Sequence, residues 1–150
     1  MTVQEQETFQ LRIGETGKLN KRTILISLNH PFQLKIGQTA HLEERNLAIT
    51  PVKVIEDSRC PQGTPKDPGP MCYWSGQVTV LFEIQEGSDL PTSLKISSHK
   101  KGFFEDLAIG FHEVTPTKYL SKPETNIATI PIAPTDYTFT LQIERLRDRT

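Results

Sequence analysis

The sequence has little of what several classes of protein require. Its 150 residues include only two cysteines and one tryptophan, and its acidic and basic residues nearly cancel, to a net charge of -1. Without an excess of positive charge, the chain lacks the electrostatic surface that nucleic acids or anionic membranes bind. The longest apolar stretch, residues 23–28, is far too short to cross a bilayer. What remains is the composition of a globular chain, and the length predicts one domain with a buried core.

The sequence motifs of common enzymes are also absent. The chain contains no Gly-x-Ser-x-Gly, Walker loop, His-Glu-x-x-His or Gly-x-Gly-x-x-Gly. His99, Lys100 and Lys101 precede Gly102, which is typical of a polar hairpin and not of a phosphate-binding loop. We therefore expect a non-enzymatic binding or interaction module of unknown ligand. The alternative is a divalent-metal-binding protein, and a hydrolytic enzyme is a distant third.

Apolar residues alternate with polar ones along most of the chain, and alternation of this kind predicts strands with one buried face. The clearest runs are Val78, Val80, Phe82 and Ile84; Leu107, Ile109 and Phe111; and Tyr137, Phe139, Leu141 and Ile143. Short strands separated by Gly- and Pro-containing turns favour two packed antiparallel sheets. The sequence therefore predicts an all-β, antiparallel two-sheet β-sandwich of immunoglobulin-like type.

One run changes the face on which its apolar residues lie. Leu47 and Ile49 are odd-numbered, Val52 and Val54 are even-numbered, and Pro51 stands between the pairs. Because a strand switches faces only through an extra residue, we expect a bulge or bend here. The missing N–H of the proline favours an edge strand.

An internal repeat joins the N-terminus to the rest of the chain. Residues 9–19 (Phe-Gln-Leu-Arg-Ile-Gly-Glu-Thr-Gly-Lys-Leu) match residues 32–42 (Phe-Gln-Leu-Lys-Ile-Gly-Gln-Thr-Ala-His-Leu) at seven of eleven positions. We interpret residues 1–30 as a strand extension packed on the sandwich formed by residues 31–150. Since only one copy can fill the first-strand position, the other is expected to pair with a second protomer, giving a homodimer through residues 8–30.

The two cysteines, Cys60 and Cys72, flank a segment rich in glycine and proline. They could form a disulfide, a metal pair or a redox couple, and the absence of Cys-x-x-Cys spacing weakens the last two. We favour the disulfide, which would stabilise the fold by about 3 kcal/mol. Asp57 and Arg59 are expected to tie this loop together through an Asx-type turn and guanidinium hydrogen bonds to carbonyls. Trp74 is expected to pack in the core.

A metal site is the main alternative function. His41 and Glu43 are expected to point outward beside the inward Ala40 and Leu42, and His112 outward after the inward Phe111. Outward imidazoles and carboxylates suit zinc-type ions, and carboxylates suit calcium. The competing interpretation is that His41, Glu43 and His112 are ordinary solvated residues.

Four short motifs occur together in this chain. They are Phe-x-Leu-x-Ile-Gly-Gln-x-Ala at residues 32–40, Glu-Asp-Ser-Arg-Cys-Pro at 56–61, Cys-x-Trp-x-Gly at 72–76, and Val-x-Pro at 114–116 before the Asp-Tyr of the closing strand. The set resembles a family of small, largely uncharacterised bacterial domains seen in cyanobacterial and lipoprotein-type sequences. The resemblance implies an immunoglobulin-like sandwich and no agreed activity.

The chain departs from that family in its longer spacer between the cysteines and in residues 1–30, which replace a lipoprotein-type leader. Residues 1–10 are polar and lack the features of a secretory signal. If the chain is complete we expect a cytoplasmic protein, and if a leader was removed, a periplasmic or exported one.

Overall fold

The computed structural model describes residues 23–62, 76–117 and 131–146, and within these ranges the chain is all-β. The strands are β1 (Thr23–Ile26), β2 (Phe32–Leu34), β3 (Thr39–Leu42), β4 (Leu47–Asp57), β5 (Val78–Glu86), β6 (Thr92–Ser97), β7 (Gly102–Phe104), β8 (Leu107–Thr115) and β9 (Thr138–Arg145). Two single-turn 3-10 helices, Glu43–Arg45 and Pro134–Asp136, complete the regular structure of these residues. None of the described helices has the length and apolarity that a membrane span requires.

The strands form two sheets that pack face to face. One sheet has the order β1-β3-β4-β5-β6 and the other β2-β9-β8-β7. All described pairings are antiparallel except that of β1 with β3, which is parallel. The predicted all-β sandwich is therefore confirmed, with one parallel pair that the sequence did not predict. The immunoglobulin-like subtype stays a prediction.

The core between the sheets consists of the inward side chains of the alternating runs. Phe82 on β5 and Phe139 on β9 are fully buried, and the ring of Phe111 lies between them, with centroids 5.9 and 5.8 Å away. No polar or charged side chain is buried among the residues that the structure describes. Burial of one face of each strand fixes the register, because a shift of one residue would bring the polar face inward.

β4 contains the irregularity that the change of face predicts. Its pairing with β5 shifts register between Pro51 and Lys53 and again between Val54 and Glu56. The predicted bulge is confirmed, but the expectation of an edge strand is wrong, since β4 lies in the middle of its sheet. Pro51 is tolerated because it lies beyond Ile49, the last β4 residue paired with β3. At Pro51, β4 therefore has no hydrogen bond to β3 that would require an N–H.

Residues 32–42 are not a single strand. Phe32–Leu34 forms β2 at the edge of the four-stranded sheet, and Thr39–Leu42 forms β3 inside the five-stranded sheet. The chain crosses between the sheets at Gly37, whose φ of 85° favours glycine and whose N–H donates to the Pro51 carbonyl at 2.9 Å. The interpretation of residues 32–42 as one first strand is corrected accordingly: the repeat unit is a strand–turn–strand that bridges both sheets.

The N-terminal extension is described only from residue 23 onward. β1 belongs to the five-stranded sheet, and its Ile24 and Ile26 pack against the core. Residues 9–19 lie outside the described residues.

Replacing Phe139 by alanine tests the position of the core. The substitution removes a fully buried ring that contacts Phe111 and Tyr137. We expect the free energy of unfolding, measured by urea denaturation, to fall by about 3–5 kcal/mol. Phe103→Ala is the matched control, because Phe103 on β7 is 55% exposed, and it should cost less than about 1 kcal/mol. Equal losses in both variants would contradict the described core.

Candidate interaction site

The end of β4 carries a compact charged cluster formed by Asp57, Arg59 and Tyr137. Arg59 donates two hydrogen bonds to the Asp57 carboxylate, from Nε to Oδ1 and from Nη2 to Oδ2, each 2.8 Å long. Tyr137 donates its hydroxyl to Asp57 Oδ2 at 2.8 Å. Arg59 also donates to the carbonyl of Val114 at 3.2 Å, which joins the β4 end to β8 in the other sheet. This Asp57 cluster therefore ties the two sheets together at one end of the sandwich.

The protonation states of the Asp57 cluster are fixed by its own contacts. Burial opposes ionisation of Asp57, but hydrogen bonds from Arg59 and Tyr137 outweigh it and lower the pKa of the carboxyl below its usual 3.8. Burial, together with the bond to Asp57, raises the pKa of the Tyr137 hydroxyl to about 12. Because Asp57 stays ionised and Tyr137 stays protonated, neither group exchanges a proton near neutral pH. The cluster is suited to holding loops and poorly suited to acid–base catalysis.

The backbone around the cluster is held by short local contacts. Ser58 donates to Glu56 Oε2 at 2.8 Å, and the N–H of Gln77 donates to the Ser58 hydroxyl at 3.0 Å. Gly76 has a φ of 69°, and a Cβ there would overlap the Ser58 carbonyl. The ring of His99 contacts the carbonyl of Gly76. These contacts hold together the described residues that precede and follow the segment 63–75.

Of the two cysteines, only Cys60 falls among the described residues, and it is disulfide-bonded. Cys72, its predicted partner, lies outside the described residues, as does Trp74. The pairing of Cys60 with Cys72 and the core position of Trp74 therefore stay predictions.

The three residues predicted to bind metal do not form a site together. His41 lies on β3 in the five-stranded sheet, where its Nε2 is 3.0 Å from Asn46 Oδ1, and Glu43 follows in the 3-10 helix. His112 lies on β8 in the other sheet, with Nε2 2.7 Å from Gln142 Oε1. Within residues 23–62, 76–117 and 131–146, no group of three or more histidine, cysteine or acidic side chains could hold a metal ion. Sequence spacing placed both histidines outward but could not tell that they belong to opposite sheets.

A recess beside the Asp57 cluster is lined in part by Arg59, Phe111, His112 and Glu113. Its volume is about 210 Å³, smaller than the roughly 300–1,000 Å³ of typical small-molecule sites. Arg59 is already committed to Asp57 and Val114. The recess therefore offers little to a ligand.

Arg45 forms the second tie between the sheets. Its guanidinium donates to Asp106 at 2.7 Å and Glu105 at 2.9 Å, both in the β7–β8 turn, and to Glu86 at the end of β5 at 3.2 Å. The hydrogen bond to Asp106 is the main reason that the pKa of Arg45 is raised and that of Asp106 lowered. Each of the three guanidinium nitrogens of Arg45 donates a hydrogen bond within the fold. We assign it a structural role.

The most open feature of the described fold is the flank formed by β1 and β2. These are the outermost strands of their sheets, and the opposite outermost strands, β6 and β7, contact each other across the sandwich. The outer edges of β1 and β2 pair with no other strand in the described ranges. We call the outer edges of β1 and β2, with the turn at residues 35–38, the N-terminal flank.

The N-terminal flank is well anchored although its outer edges pair with no described strand. Between β1 and β2, the N–H of Asn29 donates to the Ile143 carbonyl of β9 at 2.8 Å. Lys35 donates through its Nζ to Thr138 at 3.0 Å, and a recess of about 330 Å³ at the turn is lined by Lys35, Ile36, Gln38 and Thr135. Leu25 on β1 is 51% exposed. The flank thus combines fixed backbone edges, an exposed apolar side chain and a recess.

No family model, curated protein or solved structure matches the chain. The resemblance to the bacterial domain family therefore stays a prediction, and the function must be argued from the contacts above.

Replacing Asp57 by asparagine tests the role of the Asp57 cluster. A carboxyl whose pKa is lowered in the folded state stabilises the fold above its unfolded pKa, and that stabilisation is lost as pH falls through the folded value. At pH 7 we expect Asp57→Asn to lower the free energy of unfolding by about 1–3 kcal/mol. The difference from the unsubstituted protein should shrink below about pH 4.

The matched control is Asp89→Asn, at an exposed position in the β5–β6 turn, which should change stability by less than about 0.5 kcal/mol. Urea denaturation from pH 3 to pH 7 gives the comparison. A loss at Asp57 that does not depend on pH would contradict the electrostatic role.

Proposed function

We propose that the protein is a non-enzymatic interaction module that binds an extended polypeptide segment along the N-terminal flank and forms a homodimer through it. The observation that carries the proposal is the outer edge of β1, which has no strand partner in the described part of the chain. An exposed edge presents a row of backbone donors and acceptors on which another strand can pair.

The two flanks of the sandwich differ in how they discourage such pairing. β6, at the opposite flank, carries Lys95 and follows Pro91, and both residue types block added strands. β1 has the sequence Thr-Ile-Leu-Ile, with neither charge nor proline. Natural edge strands are usually protected, so an unprotected β1 favours a surface that is meant to be covered. β2, with three residues, offers a shorter edge beside it.

A binding role also fits the state of the charged groups better than catalysis does. The charged side chains described above form their hydrogen bonds within the fold, as seen for Asp57, Arg59 and Arg45. A catalytic acid, base or nucleophile must instead be available to a substrate.

Substituting Leu25 by lysine tests the proposal. A lysine on an edge strand discourages pairing because its charge would have to be desolvated by the added strand. Leu25 is already half-exposed, so the fold should tolerate the change. Light scattering coupled to size-exclusion chromatography should show a dimer for the unsubstituted chain and a monomer for Leu25→Lys. The matched control is Phe103→Lys on β7 of the opposite flank, which should remain dimeric. A chain that is monomeric throughout, or a dimer lost equally in both variants, would refute the proposal.

We also propose that the bond of Cys60 is a bridge to Cys72. The two are the only cysteines of the chain, and a bridge between them would close the loop that the contacts of Ser58, Gln77 and Gly76 hold at its base. In a chain-entropy model, a loop of this length gives about 3 kcal/mol of stabilisation.

Alkylation with iodoacetamide followed by intact-mass measurement checks the bridge. The denatured, unreduced chain should take up no reagent, and the reduced chain should take up two equivalents. Cys60→Ser should expose one reactive thiol without reduction. Two alkylated cysteines in the unreduced chain would exclude the bridge.

A further inference from the structure

We propose that the segment bound along the N-terminal flank is residues 9–19 of a second copy of the chain. The inference rests on the proposed function and names the partner of that same surface. We call residues 9–19 the first copy of the repeat and residues 32–42 the second copy.

The seven positions shared by the two copies are, with one exception, those that hold the second copy in the sandwich. In the second copy, Phe32, Leu34 and Leu42 are buried in the core, and Ile36 packs against it. Gly37 makes the crossing between sheets, and Thr39 Oγ1 lies 2.6 Å from Thr50 Oγ1. Gln33 is the exception, because it is exposed. The first copy therefore repeats, in the same order, six of the residues that hold this strand–turn–strand across the two sheets.

The differences explain which copy occupies the interior position. Position 40 is decisive. Ala40 is fully buried opposite Ile49, whereas the first copy has Gly17 at the corresponding position. Glycine loses more conformational freedom in a strand and leaves the space of a methyl group empty. His41, which bonds to Asn46, is replaced by Lys18. The second copy thus fits the interior position better, and the first copy is left with the same apolar pattern to bury elsewhere.

The N-terminal flank provides a place of matching form. β1 and β2 end the two sheets on the same side, so a strand–turn–strand added there would extend both sheets, as the second copy does one position further in. Residue 19 precedes β1 by only the three residues 20–22. The first copy is therefore tethered at the flank of its own chain, and in a two-fold dimer joined through these flanks it would reach the same flank of the partner.

The link at residues 20–22 favours a partner chain over the same chain. A three-residue hairpin link ends in a left-handed residue, usually glycine. The β3–β4 link meets a related need with Asn46, at φ 49°. The link before β1 ends instead in Arg22, which is a poor left-handed residue. A three-residue hairpin of this type between the first copy and β1 of its own chain is therefore disfavoured, whereas pairing with β1 of a partner chain needs no such tight turn.

Substitution of Leu11 by aspartate in the full-length chain tests the assignment. Leu11 corresponds to the fully buried Leu34, so a charge there would have to be buried in the interface. We expect the dimer dissociation constant, from analytical ultracentrifugation, to rise about ten- to a hundredfold. Gln10→Asp is the matched control, because it adds the same charge at the position of the exposed Gln33, and its dissociation constant should change less than threefold.

A photo-crosslink separates the two sources of the segment. p-Benzoyl-phenylalanine at Leu25, in a mixture of ¹⁵N-labelled and unlabelled full-length chains, should give crosslinked peptides that pair heavy with light chains and contain residues of the first copy. The same probe at Phe103 should not capture the first copy. Crosslinks to the first copy only within one chain would overturn the exchange between protomers.

The outcomes for this inference and for the proposed function differ. If Leu25→Lys dissociates the dimer while Leu11→Asp leaves it intact, the flank is an interaction surface but the first copy is not its occupant. If Leu11→Asp and Gln10→Asp weaken the dimer equally, the assignment of the first copy by its apolar face is overturned. If neither Leu25→Lys nor Leu11→Asp affects association, both proposals fail.

Discussion

Burial of one apolar face from each sheet is the interaction on which the rest of the fold depends. The inward side chains of β5, β8 and β9 meet at the rings of Phe82, Phe111 and Phe139. Apart from the Tyr137 hydroxyl, which donates to Asp57, the side chains buried in the described core are apolar. Its stability therefore comes from apolar burial and close packing, which are not directional. The arginine contacts that join one sheet to the other lie at the ends of the strands, where they help to hold the sheets relative to each other.

Two such contacts lie at the strand ends. The Asp57 cluster joins the end of β4 to β8 and to Tyr137, and Arg45 joins the end of β5 to the β7–β8 turn. Each uses an arginine, whose planar group can bind several acceptors at once. Because both arginines are partly exposed, their charges keep some hydration and the cost of desolvation is limited. The two ties fix the sheets at positions that the apolar core alone would leave free to shift.

Much of the fold followed from the sequence because strand alternation is a local property. The runs ending in Ile84 and Ile143 gave the buried faces directly, and the change of face around Pro51 gave the bulge. The position of β4 within its sheet did not follow, because strand order depends on contacts between residues distant in the chain. The parallel pairing of β1 with β3 escaped prediction for the same reason.

The candidate site was predictable only in part. The Asp-Ser-Arg-Cys motif singled out Asp57 and Arg59, but nothing local indicated that Tyr137, 80 positions away, would donate to Asp57. His41 and His112 were placed outward correctly, yet their assignment to opposite sheets required the topology. The repeat was visible in the sequence, whereas its meaning as a unit that crosses between sheets needed the turn at Gly37.

The parallel pairing of β1 bears on the order in which the sandwich assembles. β1 is joined to β3 through residues 27–38, which cross to the other sheet as β2, so we expect its parallel pairing to form once that crossover is in place. Pairings that depend on such prior closure form late in folding and open early. Among the described strands β1 pairs only with β3, so its opening breaks fewer strand pairings than the opening of β5, which lies between β4 and β6. Its amide protons would then exchange with solvent far faster than those of β5. A strand paired along its outer edge would slow that exchange, because β1 would then be hydrogen-bonded on both edges.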